Sequence, residues 1–372
     1  MGNIPAGLSR LHEWYSKNAR TLPWRQEKPD PYRVMVSEFI LQQTRMEQGL
    51  PYYKRFLERF PTIRALAEAP LDDVLKVREG CGYYARARNL HKAVKKIMRE
   101  FGGRVPSDYG ALLSLPGVGP YMAAAISSIA YEKPNAVLDG NVIRVIARVD
   151  AYPHAIDLPR ARRELKERAQ KWLDASLPSV RPSIHNQATM ELGALVCTPK
   201  SPKCGICPLR ADCIAYASGR MEEFPRKKRK MARPLIHASV GMLVSGEKVL
   251  IARRKEDDFL GGLWEFPGGK VEVGESPEKA LRREMEEEVG LRVRVVRHAM
   301  DARAEFTHRI IILQVYRCKL APGQKASDAR AIGCQAVRWV KISALRKFAF
   351  PRANREMIAW LERNPGKKKL LP

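Results

Sequence analysis

The sequence predicts a multidomain chain that is mostly helical over about its first 215 residues and α/β beyond them. In the first part, apolar residues recur with the 3.6-residue period of a helix, and strand signals are nearly absent. After residue 234, runs of β-branched residues indicate strands on both sides of a charged helical stretch. A length of 372 residues also favours two domains over one.

The predicted elements follow from these patterns in chain order. The expected helices are LSRLHEWYSKNA (8–19), PYYKRFLERF (51–60), LDDVLKVRE (71–79), ARARNLHKAVKKIMREF (85–101) and ARRELKERAQKWLDASL (161–177). The expected strands lie in IHASVGMLVSGEKVLIARR (236–254) and RIIILQVYRCKL (309–320). Between the two parts, RMEEFPRKKRKMARP has two prolines and a basic run, which predicts a linker. The predicted boundaries are a helical domain at 1–217, a basic linker at 218–234, an α/β domain at 235–365 and a basic tail at 366–372.

The charge balance points to a polyanionic partner. The formal net charge is +27, and nucleic acid is the partner that such a chain most often meets. A solvated basic surface is the plain alternative, and charge by itself does not separate the two. The sequence has neither an apolar run of 18 residues nor a secretory h-region, so we expect an intracellular location, the cytoplasm or bacterial nucleoid.

A tight turn in LLSLPGVGPYMAAAISSIAY predicts contact with a phosphate backbone. Gly117 and Gly119 let backbone N–H groups approach an anion, and the helix that follows adds its positive N-terminal end. Downstream, VLDGNVIRV places Asp139 after an apolar pair, where it could also be a helix N-cap. The hairpin with its downstream Asp resembles the helix-hairpin-helix DNA glycosylase superfamily. The resemblance implies that Asp139 lies near the deoxyribose and stabilises an oxocarbenium-like transition state.

Four of the seven cysteines form a metal-type motif, Cys197-x6-Cys204-x2-Cys207-x5-Cys213. Four thiolates can hold either zinc or an iron–sulfur cluster. The spacing, and its place after the Asp, resemble the [4Fe–4S] loop of the endonuclease III and MutY branch. This likeness favours the cluster over zinc.

Two further residues select a branch of the superfamily. Where lyase-type members carry a Schiff-base lysine, this sequence has Tyr121, so a monofunctional glycosylase is expected. SEFILQQTRM resembles a motif of the MutY adenine glycosylases and places Glu38 in an otherwise apolar helix. A partly buried Glu has a raised pKa, and the resemblance implies that Glu38 protonates N7 of adenine as a general acid.

Other residues match the same family in order along the chain. The resemblance implies an adenine pocket at Trp24, Arg25 and Glu191, and support of Asp139 by Asn141. It implies DNA contacts from Gln42, which would fill the gap left by the flipped adenine, and from Tyr83, which wedges beside the lesion base. Gln43 and Thr44 continue the polar run after Gln42. Taken singly, Trp24 and Tyr83 are equally compatible with plain core packing.

The stretch GGKVEVGESPEKALRREMEEEVGL fills every position of the Nudix signature. Glu284, Glu287 and Glu288 fall at i, i+3 and i+4, which puts three carboxylates on one helix face, where they would hold Mg²⁺. MutY proteins carry a C-terminal domain of this fold, usually with a decayed box. An intact box is the main departure from that pattern.

The resemblance leaves two roles open for this domain. Asn354 in FPRAN matches the residue of MutT, the 8-oxo-dGTP diphosphatase, that binds the oxidised base, and Phe306 would line the same pocket. Phe306, Thr307 and His308 also resemble the MutY loop that reads 8-oxoguanine in duplex DNA. MutT-type enzymes have a further acid shortly before the tryptophan that matches Trp339, whereas here the nearest is Asp328. We therefore expect a glycosylase for adenine opposite 8-oxoguanine or G, with hydrolysis of 8-oxo-dGTP or a related nucleotide as the alternative for the second domain.

Overall fold

The computed structural model describes residues 6–42, 46–77, 84–228, 232–306 and 308–364. The chain divides into two compact units. The first unit comprises Met1–Glu68 and Asn89–Lys230, and the second comprises Ala69–Arg88 and Met231–Pro372. The second unit thus includes a helical stretch from the first quarter of the sequence, besides the C-terminal part.

The described residues before 218 form helices without a strand. These are α1 (Leu8–Asn18), α2 (Pro31–Leu41), α3 (Met46–Arg59), α4 (Ile63–Glu68), α5 (Leu71–Val77), α6 (Tyr84–Glu100), α7 (Tyr109–Leu113), α8 (Pro120–Tyr131), α9 (Gly140–Val149), α10 (Pro159–Ser176), α11 (Pro182–Leu195) and α12 (Ile214–Ala217). Each helix predicted from periodicity is found, although α3 begins at Met46, ahead of its expected start at 51, and residues 78–79 of the helix expected at 71–79 lie outside the described ones. None of the described helices is long and apolar enough to cross a membrane.

Local signals in the sequence explain where the helices that carry the site begin. The Asp30 carboxylate accepts the backbone N–H of Tyr32 at 2.8 Å, and Pro31 occupies the first helical position of α2. α8 likewise starts with a proline, directly after Gly119. α2, α8, α9 and α11 are strongly buried and pack on one another, so they form the centre of the first unit.

The second unit is built on a mixed sheet. Its strands are β1 (Leu235–Ser245), β2 (Lys248–Arg253), β3 (Trp264–Glu265), β4 (Gly268–Lys270), β5 (Val293–Glu305), β6 (Ile310–Leu320) and β7 (Ala336–Lys341). The strands lie in the order β3-β2-β1-β6-β5, with β4 paired to β1 and β7 to β2. β1 and β6 are parallel, and the other pairs are antiparallel.

Two helices of this unit cover opposite faces of the sheet. α13 (Pro277–Val289) packs on the face that carries Leu243 and Leu250, and α14 (Asn354–Arg363) packs on the face that carries Met242 and Ile251. Neighbouring residues of β1 and of β2 therefore enter different cores, because side chains alternate across a strand. α13 starts at a Ser276 cap and ends at Gly290, whose φ of +68° favours glycine.

Among the described residues of 69–88, Asp72, Tyr84 and Arg88 bond to the rest of the second unit. Asp72 forms an ion pair with Arg253 at 2.7 Å. The Tyr84 hydroxyl donates to the Phe350 carbonyl at 3.1 Å, and Arg88 donates to the Gly261 carbonyl. At the other border, the 218–228 part of the predicted linker packs on the first unit. Its Phe224 is buried there, and its carbonyl accepts from Arg148 at 3.1 Å. The predicted tail at 366–372 lies outside the described residues.

Candidate functional site

The turn between α7 and α8 is shaped by two glycines. Gly117 has a φ of +79°, and a β-carbon there would lie 2.5 Å from Cβ of Asn89. Both facts require glycine at this position. A β-carbon at Gly119 would meet no atom within 4 Å, so the backbone that leads into α8 is uncovered. α8 has twelve residues, and its uncovered N-terminus suits an anionic group.

Glu38 is a buried carboxyl group with one hydroxyl partner. It lies on α2 with 8% of its surface exposed, and the Tyr121 hydroxyl of α8 donates to its Oε2 at 2.6 Å. Burial raises the pKa of Glu38 to about 7, and the negative charge of Asp139 adds to this effect, whereas the Tyr121 hydrogen bond opposes it. A group with this pKa carries a proton for much of the time at neutral pH and can also give it up.

Asp139 lies at the start of α9, in the same site. Its Oδ1 accepts the Val142 backbone N–H at 2.7 Å, so it is an N-cap, and its Oδ2 accepts from Asn141 at 2.8 Å. Burial raises the pKa of Asp139 above its ordinary value, while these hydrogen bonds and the charge of Arg144 favour the ionised form. Arg144 also donates to the Asn141 side-chain oxygen at 2.8 Å, which fixes the amide. Glu38, Tyr121 and Asp139 thus form one electrostatically coupled cluster.

Tyr121 stays protonated in this cluster. Burial raises the pKa of its phenol well above the ordinary value, and the charges of Glu38 and Asp139 raise it further. The phenol therefore acts as a hydrogen-bond donor, as the 2.6 Å contact requires.

Glu191 on α11 is the centre of a buried ion-pair group. Arg20 donates to both of its carboxylate oxygens, at 2.7 and 2.9 Å, and Arg25 donates to Oε2 at 2.9 Å. Burial by itself would raise the pKa of Glu191, but the hydrogen bonds from the two arginines prevail and lower it to about 2. Sequence reasoning found Arg25 and Glu191 but missed Arg20, because no local pattern marks a partner 171 positions away.

The other predicted base and DNA residues are found in different settings. Trp24 is buried edge-on against Tyr53, with 4.8 Å between the ring centroids, so core packing accounts for its position. Gln42 is part-exposed at the end of α2, where its backbone N–H bonds to the Glu38 carbonyl at 3.3 Å. The predicted residues Gln43, Thr44, Tyr83 and Thr307 lie outside the described residues.

The four cysteines of the predicted cluster loop, Cys197, Cys204, Cys207 and Cys213, line one cavity. Arg148, which is fully buried, points its Nη1 at the Cys197 sulfur at 3.4 Å and also binds the Thr198 carbonyl at 2.7 Å. Among the residues that the structure describes, no three His, Cys, Asp or Glu side chains are grouped so as to hold a single metal ion. Thiols spread around a cavity fit a cluster of several irons better than one zinc, whose bonds to sulfur are about 2.3 Å long.

In the second unit, the Nudix-type carboxylates surround a glycine strand. Glu284 lies against Gly269, where a β-carbon would collide with its carboxylate. Glu288 accepts the Gly268 N–H at 3.0 Å, and burial, followed by the charge of Glu265, raises its pKa to about 7. Glu284 and Glu287 both bind Nη1 of Arg283, at 2.8 and 2.9 Å. The oxygen donors suit magnesium, yet in this arrangement Arg283 occupies two of the three carboxylates.

The structure adds an acid that sequence reasoning missed. Glu265 in LWEFPGGK lies deep in this site and receives two 2.8 Å hydrogen bonds from Arg254 Nη1. Burial raises its pKa, and Arg254 opposes that effect. Asp328, the nearest acid before Trp339, instead accepts the Lys325 backbone N–H at 2.7 Å and closes a short 3-10 turn. The only signal for Glu265 was a polar residue between two large apolar ones.

The residues predicted to read 8-oxoguanine lie on two elements of the second unit. Asn354 is buried at the start of α14, and its amide nitrogen is 3.8 Å from the Met357 sulfur, a weak partner. Phe306 and His308 lie in the turn between β5 and β6, which the Phe306 N–H closes by bonding to the Arg309 carbonyl at 2.9 Å.

Three family models match consecutive stretches of the chain. Residues 36–173 match the HhH-GPD superfamily of base excision DNA repair proteins. Residues 197–213 match the iron–sulfur binding domain of endonuclease III, and residues 239–360 match the NUDIX domain. These matches confirm the predicted fold class and the prediction of an iron–sulfur site at the four cysteines.

Two mammalian adenine DNA glycosylases and a solved glycosylase structure are among the proteins similar to this chain. The adenine DNA glycosylase of Rattus norvegicus is 32% identical over 392 residues, which cover 91% of this chain and 75% of the relative. The adenine DNA glycosylase of Homo sapiens is 34% identical over 373 residues, 85% of this chain and 67% of the relative. The structure of a thermostable thymine-DNA glycosylase is 27% identical with a TM-score of 0.50, and the match covers 57% of this chain and 95% of that one.

The helical hairpin unit, the cysteine loop and the buried Glu38–Tyr121–Asp139 cluster define a base excision DNA glycosylase of the iron–sulfur class, here joined to a Nudix domain. The two mammalian relatives match both parts of the chain in one alignment. The chain belongs to the adenine DNA glycosylase family.

Proposed function

We propose that this protein is a monofunctional adenine DNA glycosylase that removes adenine mispaired with 8-oxoguanine, or with G, in base excision repair. The observation that carries the proposal is the buried Glu38 carboxyl, with a pKa of about 7, beside a protonated Tyr121 and a hydrogen-bonded Asp139. The partner is double-stranded DNA with A:8-oxoguanine mispairs, and the place of action is the intracellular compartment that holds the genome, such as a bacterial nucleoid.

Glu38 is the general acid of the proposed reaction. Adenine is a poor leaving group until N7 is protonated, and Glu38 carries a proton at neutral pH because burial disfavours its charged form. Tyr121 holds the carboxyl in place through its hydroxyl and cannot form a Schiff base, since it has no amine. The ionised Glu38 left after proton transfer can then orient the attacking water.

Asp139 supplies the charge for the developing sugar cation. Its carboxylate is held by Asn141 and by the α9 backbone, so it needs no rearrangement when positive charge appears at C1′. Arg144 fixes Asn141 from the other side. Asp139 can cap α9 and also act in catalysis. Oδ1 accepts one hydrogen bond from Val142 and Oδ2 accepts one from Asn141, and both contacts favour the ionised carboxylate that the reaction needs.

The remaining residues bind the base and the DNA. Arg25 and Glu191, with Arg20, form a fixed polar wall for the flipped adenine, and Trp24, whose ring packs against Tyr53, belongs to the same proposed pocket. Gln42 and its neighbours Gln43 and Thr44, together with Tyr83, act at the duplex. Gly117 and Gly119 present backbone N–H groups to a phosphate. In the second unit, Phe306, Thr307, His308 and Asn354 read the oxidised base.

The four cysteines would hold a [4Fe–4S] cluster, which when bound ties the 197–213 loop into a fixed shape. Arg148 places its guanidinium against Cys197 and against the loop carbonyls of Thr198 and Pro199. A buried cation at this place offsets the negative charge of thiolate ligands.

The test measures adenine release from duplexes with A opposite 8-oxoguanine, G or T. We expect release opposite 8-oxoguanine and G, faster for 8-oxoguanine, and none opposite T. Glu38→Gln removes the acid and should bind the same duplex without releasing the base. Release of pyrimidines instead of adenine, or strand cleavage by the wild type, would refute the proposal.

A second candidate activity belongs to the Nudix site: hydrolysis of 8-oxo-dGTP or a related nucleoside triphosphate. Glu288, with a pKa of about 7, and the Glu284 carboxylate against Gly269 favour it. Mg²⁺ is the ion that Glu284, Glu287 and Glu288 would hold, with Arg283 released from the carboxylates.

The matching experiment incubates the protein with 8-oxo-dGTP and Mg²⁺ and follows the monophosphate. Glu287→Gln should abolish hydrolysis, whereas Glu286→Gln, a neighbouring exposed glutamate outside the signature, should not. Absence of hydrolysis together with normal adenine release would leave this domain the role of reading the lesion.

A further inference from the structure

Three aromatic rings and a guanidinium group meet on loops of the second unit. They belong to Phe259, from the loop between β2 and β3, and to Phe306, His308 and Arg309, from the turn between β5 and β6. We call these four residues the aromatic cluster. The loop residue Phe259 is 47 positions before Phe306, the first residue of the turn, so no local sequence pattern predicts the cluster.

Phe259 is the common contact of the other three. Its ring meets Phe306 edge-on with 4.8 Å between centroids and His308 edge-on with 5.8 Å. The Arg309 guanidinium lies 4.4 Å from the centroid of the Phe259 ring, in cation–π geometry. Phe306 and His308 are more distant from each other, at 6.4 Å. The turn is therefore organised around Phe259.

The loop that carries Phe259 is itself held in place. The Phe259 carbonyl accepts from Arg254 at 2.6 Å, and Arg254 is bound to Glu265. The Gly261 N–H closes the loop on the Asp258 carbonyl at 2.9 Å. Phe259 nevertheless remains 37% exposed, so its ring is accessible from solvent.

We propose that Phe259 is a positioning residue for recognition of the oxidised base: its ring fixes Phe306 and His308 at the base, and Arg309, which lies over the Phe259 ring and donates to His308 Nε2 at 2.7 Å, ties the group together. The inference rests on the proposed function, in which the 306–308 turn reads 8-oxoguanine. Aromatic rings suit nucleobase faces, so rings that are fixed in position can discriminate one base from another. The net charge of +27 provides the matching attraction for DNA.

The experiment compares affinities for two duplexes that carry a non-hydrolysable adenosine analogue opposite 8-oxoguanine or G. In Phe259→Ala, the preference for the 8-oxoguanine duplex should fall about tenfold, as expected when an aromatic contact to a base is lost. The rate of adenine release from an A:G duplex at saturating enzyme should stay within about twofold of wild type, because Glu38 and Asp139 are unaffected. Val296→Ala, another exposed apolar residue of this unit, is the matched control and should keep the preference.

Further variants separate positioning from a general structural role. Phe259→Tyr should restore the preference, while Phe259→Leu, which is apolar without a ring, should not. Phe306→Ala should lower the preference by a similar factor, and the Phe259→Ala/Phe306→Ala double variant should lose little more than either single variant. Full preference in Phe259→Leu, or multiplicative losses in the double variant, would overturn the proposal.

The failure of this inference differs from the failure of the proposed function. A wild-type protein that binds both duplexes equally would overturn both. A wild-type protein with a clear preference that Phe259→Ala retains would overturn only the role of Phe259. Equal loss of affinity for both duplexes would also count against it, because the residue would then serve DNA binding in general.

Discussion

Two buried glutamates of the first unit have opposite proton affinities. Glu38 has a pKa raised to about 7, and Glu191 has a pKa lowered to about 2. Both side chains are buried, at 1% exposure for Glu191 and 8% for Glu38, and burial raises the pKa of each, so the opposite outcomes require different partners. Glu191 has two arginine partners, whereas Glu38 has a neutral phenol and a nearby aspartate.

The partner of a buried carboxyl group decides which proton chemistry is open to it. An arginine pair keeps Glu191 ionised at any pH near neutrality, so it can orient a base or hold structure but cannot give a proton. A neutral donor leaves the cost of burying a charge uncompensated, so the pKa of Glu38 rises to about 7 and the carboxyl group can both hold and give up a proton near neutral pH. When two carboxyl groups lie in environments that give them different pKa values, they are suited to different roles.

The largest effect is expected from replacing Glu38, the proposed general acid. Glu38→Gln should slow adenine release by about 10² to 10⁴-fold, the usual range for loss of a general acid. Its stability toward urea should equal or exceed that of wild type at pH 7, because the variant removes a carboxyl group whose folded pKa lies above its unfolded one. Single-turnover kinetics measure adenine release, and urea unfolding measures stability. A variant that is destabilised but still active would contradict both expectations for Glu38.

The next effect tests the structural side. Glu191→Gln leaves two arginines without their anion and should lower the free energy of unfolding by about 3 kcal/mol. Urea unfolding at pH 7 measures this change. Glu13→Gln, which breaks an exposed pair with Lys17, is the matched control and should change nothing measurable.

The ion pairs of Glu191 with Arg20 and Arg25 also predict a pH dependence of stability. The folded pKa of Glu191 lies below its ordinary value of 4.5, so its stabilising contribution is present above that pH and is lost as the pH falls toward about 2. The stability gap between wild type and Glu191→Gln should therefore close over this acid range. A gap that stays constant would show that lost packing, rather than charge, is responsible.

The pH profile of activity provides a smaller and independent test. Glu38 must be protonated, so kcat/KM for adenine release should fall as the pH rises through about 7. Asp139 must be ionised, and since burial raises its pKa, the acid limb should lie above the pH at which an ordinary aspartate titrates. Rates that continue to rise above pH 8 would contradict the role of Glu38.

The smallest expected effect is a shift of that profile. The Tyr121 hydrogen bond lowers the pKa of Glu38, so Tyr121→Phe should move the alkaline limb to higher pH while activity persists. Tyr131→Phe, which removes a hydroxyl bonded to the Val105 carbonyl outside the cluster, should leave the limb unchanged. A shift to lower pH in Tyr121→Phe would reverse the assigned effect of the phenol.

Local patterns predicted much of the fold. Periodicity located α1, α3, α5, α6 and α10, and runs of β-branched residues located β1, β2 and β6, because each pattern reports a backbone geometry that its own residues favour. The motif residues Glu38, Tyr121 and Asp139 were named from the sequence, and the structure brings them together. Patterns of this kind contain no information about partners distant in sequence.

The arrangement of the second unit shows that limit. Periodicity predicted a helix at 71–79, but nothing in it indicated that Asp72 would pair with Arg253, 181 positions later. Nor did it indicate that Arg88 would bind the Gly261 carbonyl. By their contacts, residues 69–88 group with the second unit, although they lie within the stretch that matches the HhH-GPD model, and the predicted boundary at 217 stays a prediction.

Sequence patterns were sufficient to predict the family, several helices and strands, the cysteine loop, the Nudix signature and a candidate acid, Glu38. The pKa values of Glu38, Glu191 and Glu265 depend on contacts that form only in the folded protein. The tertiary structure placed Arg20 and Arg25 on Glu191, Tyr121 on Glu38 and Arg254 on Glu265. The reason is that residue type fixes what a side chain can do, whereas burial and neighbouring charges, which folding alone assembles, fix its pKa.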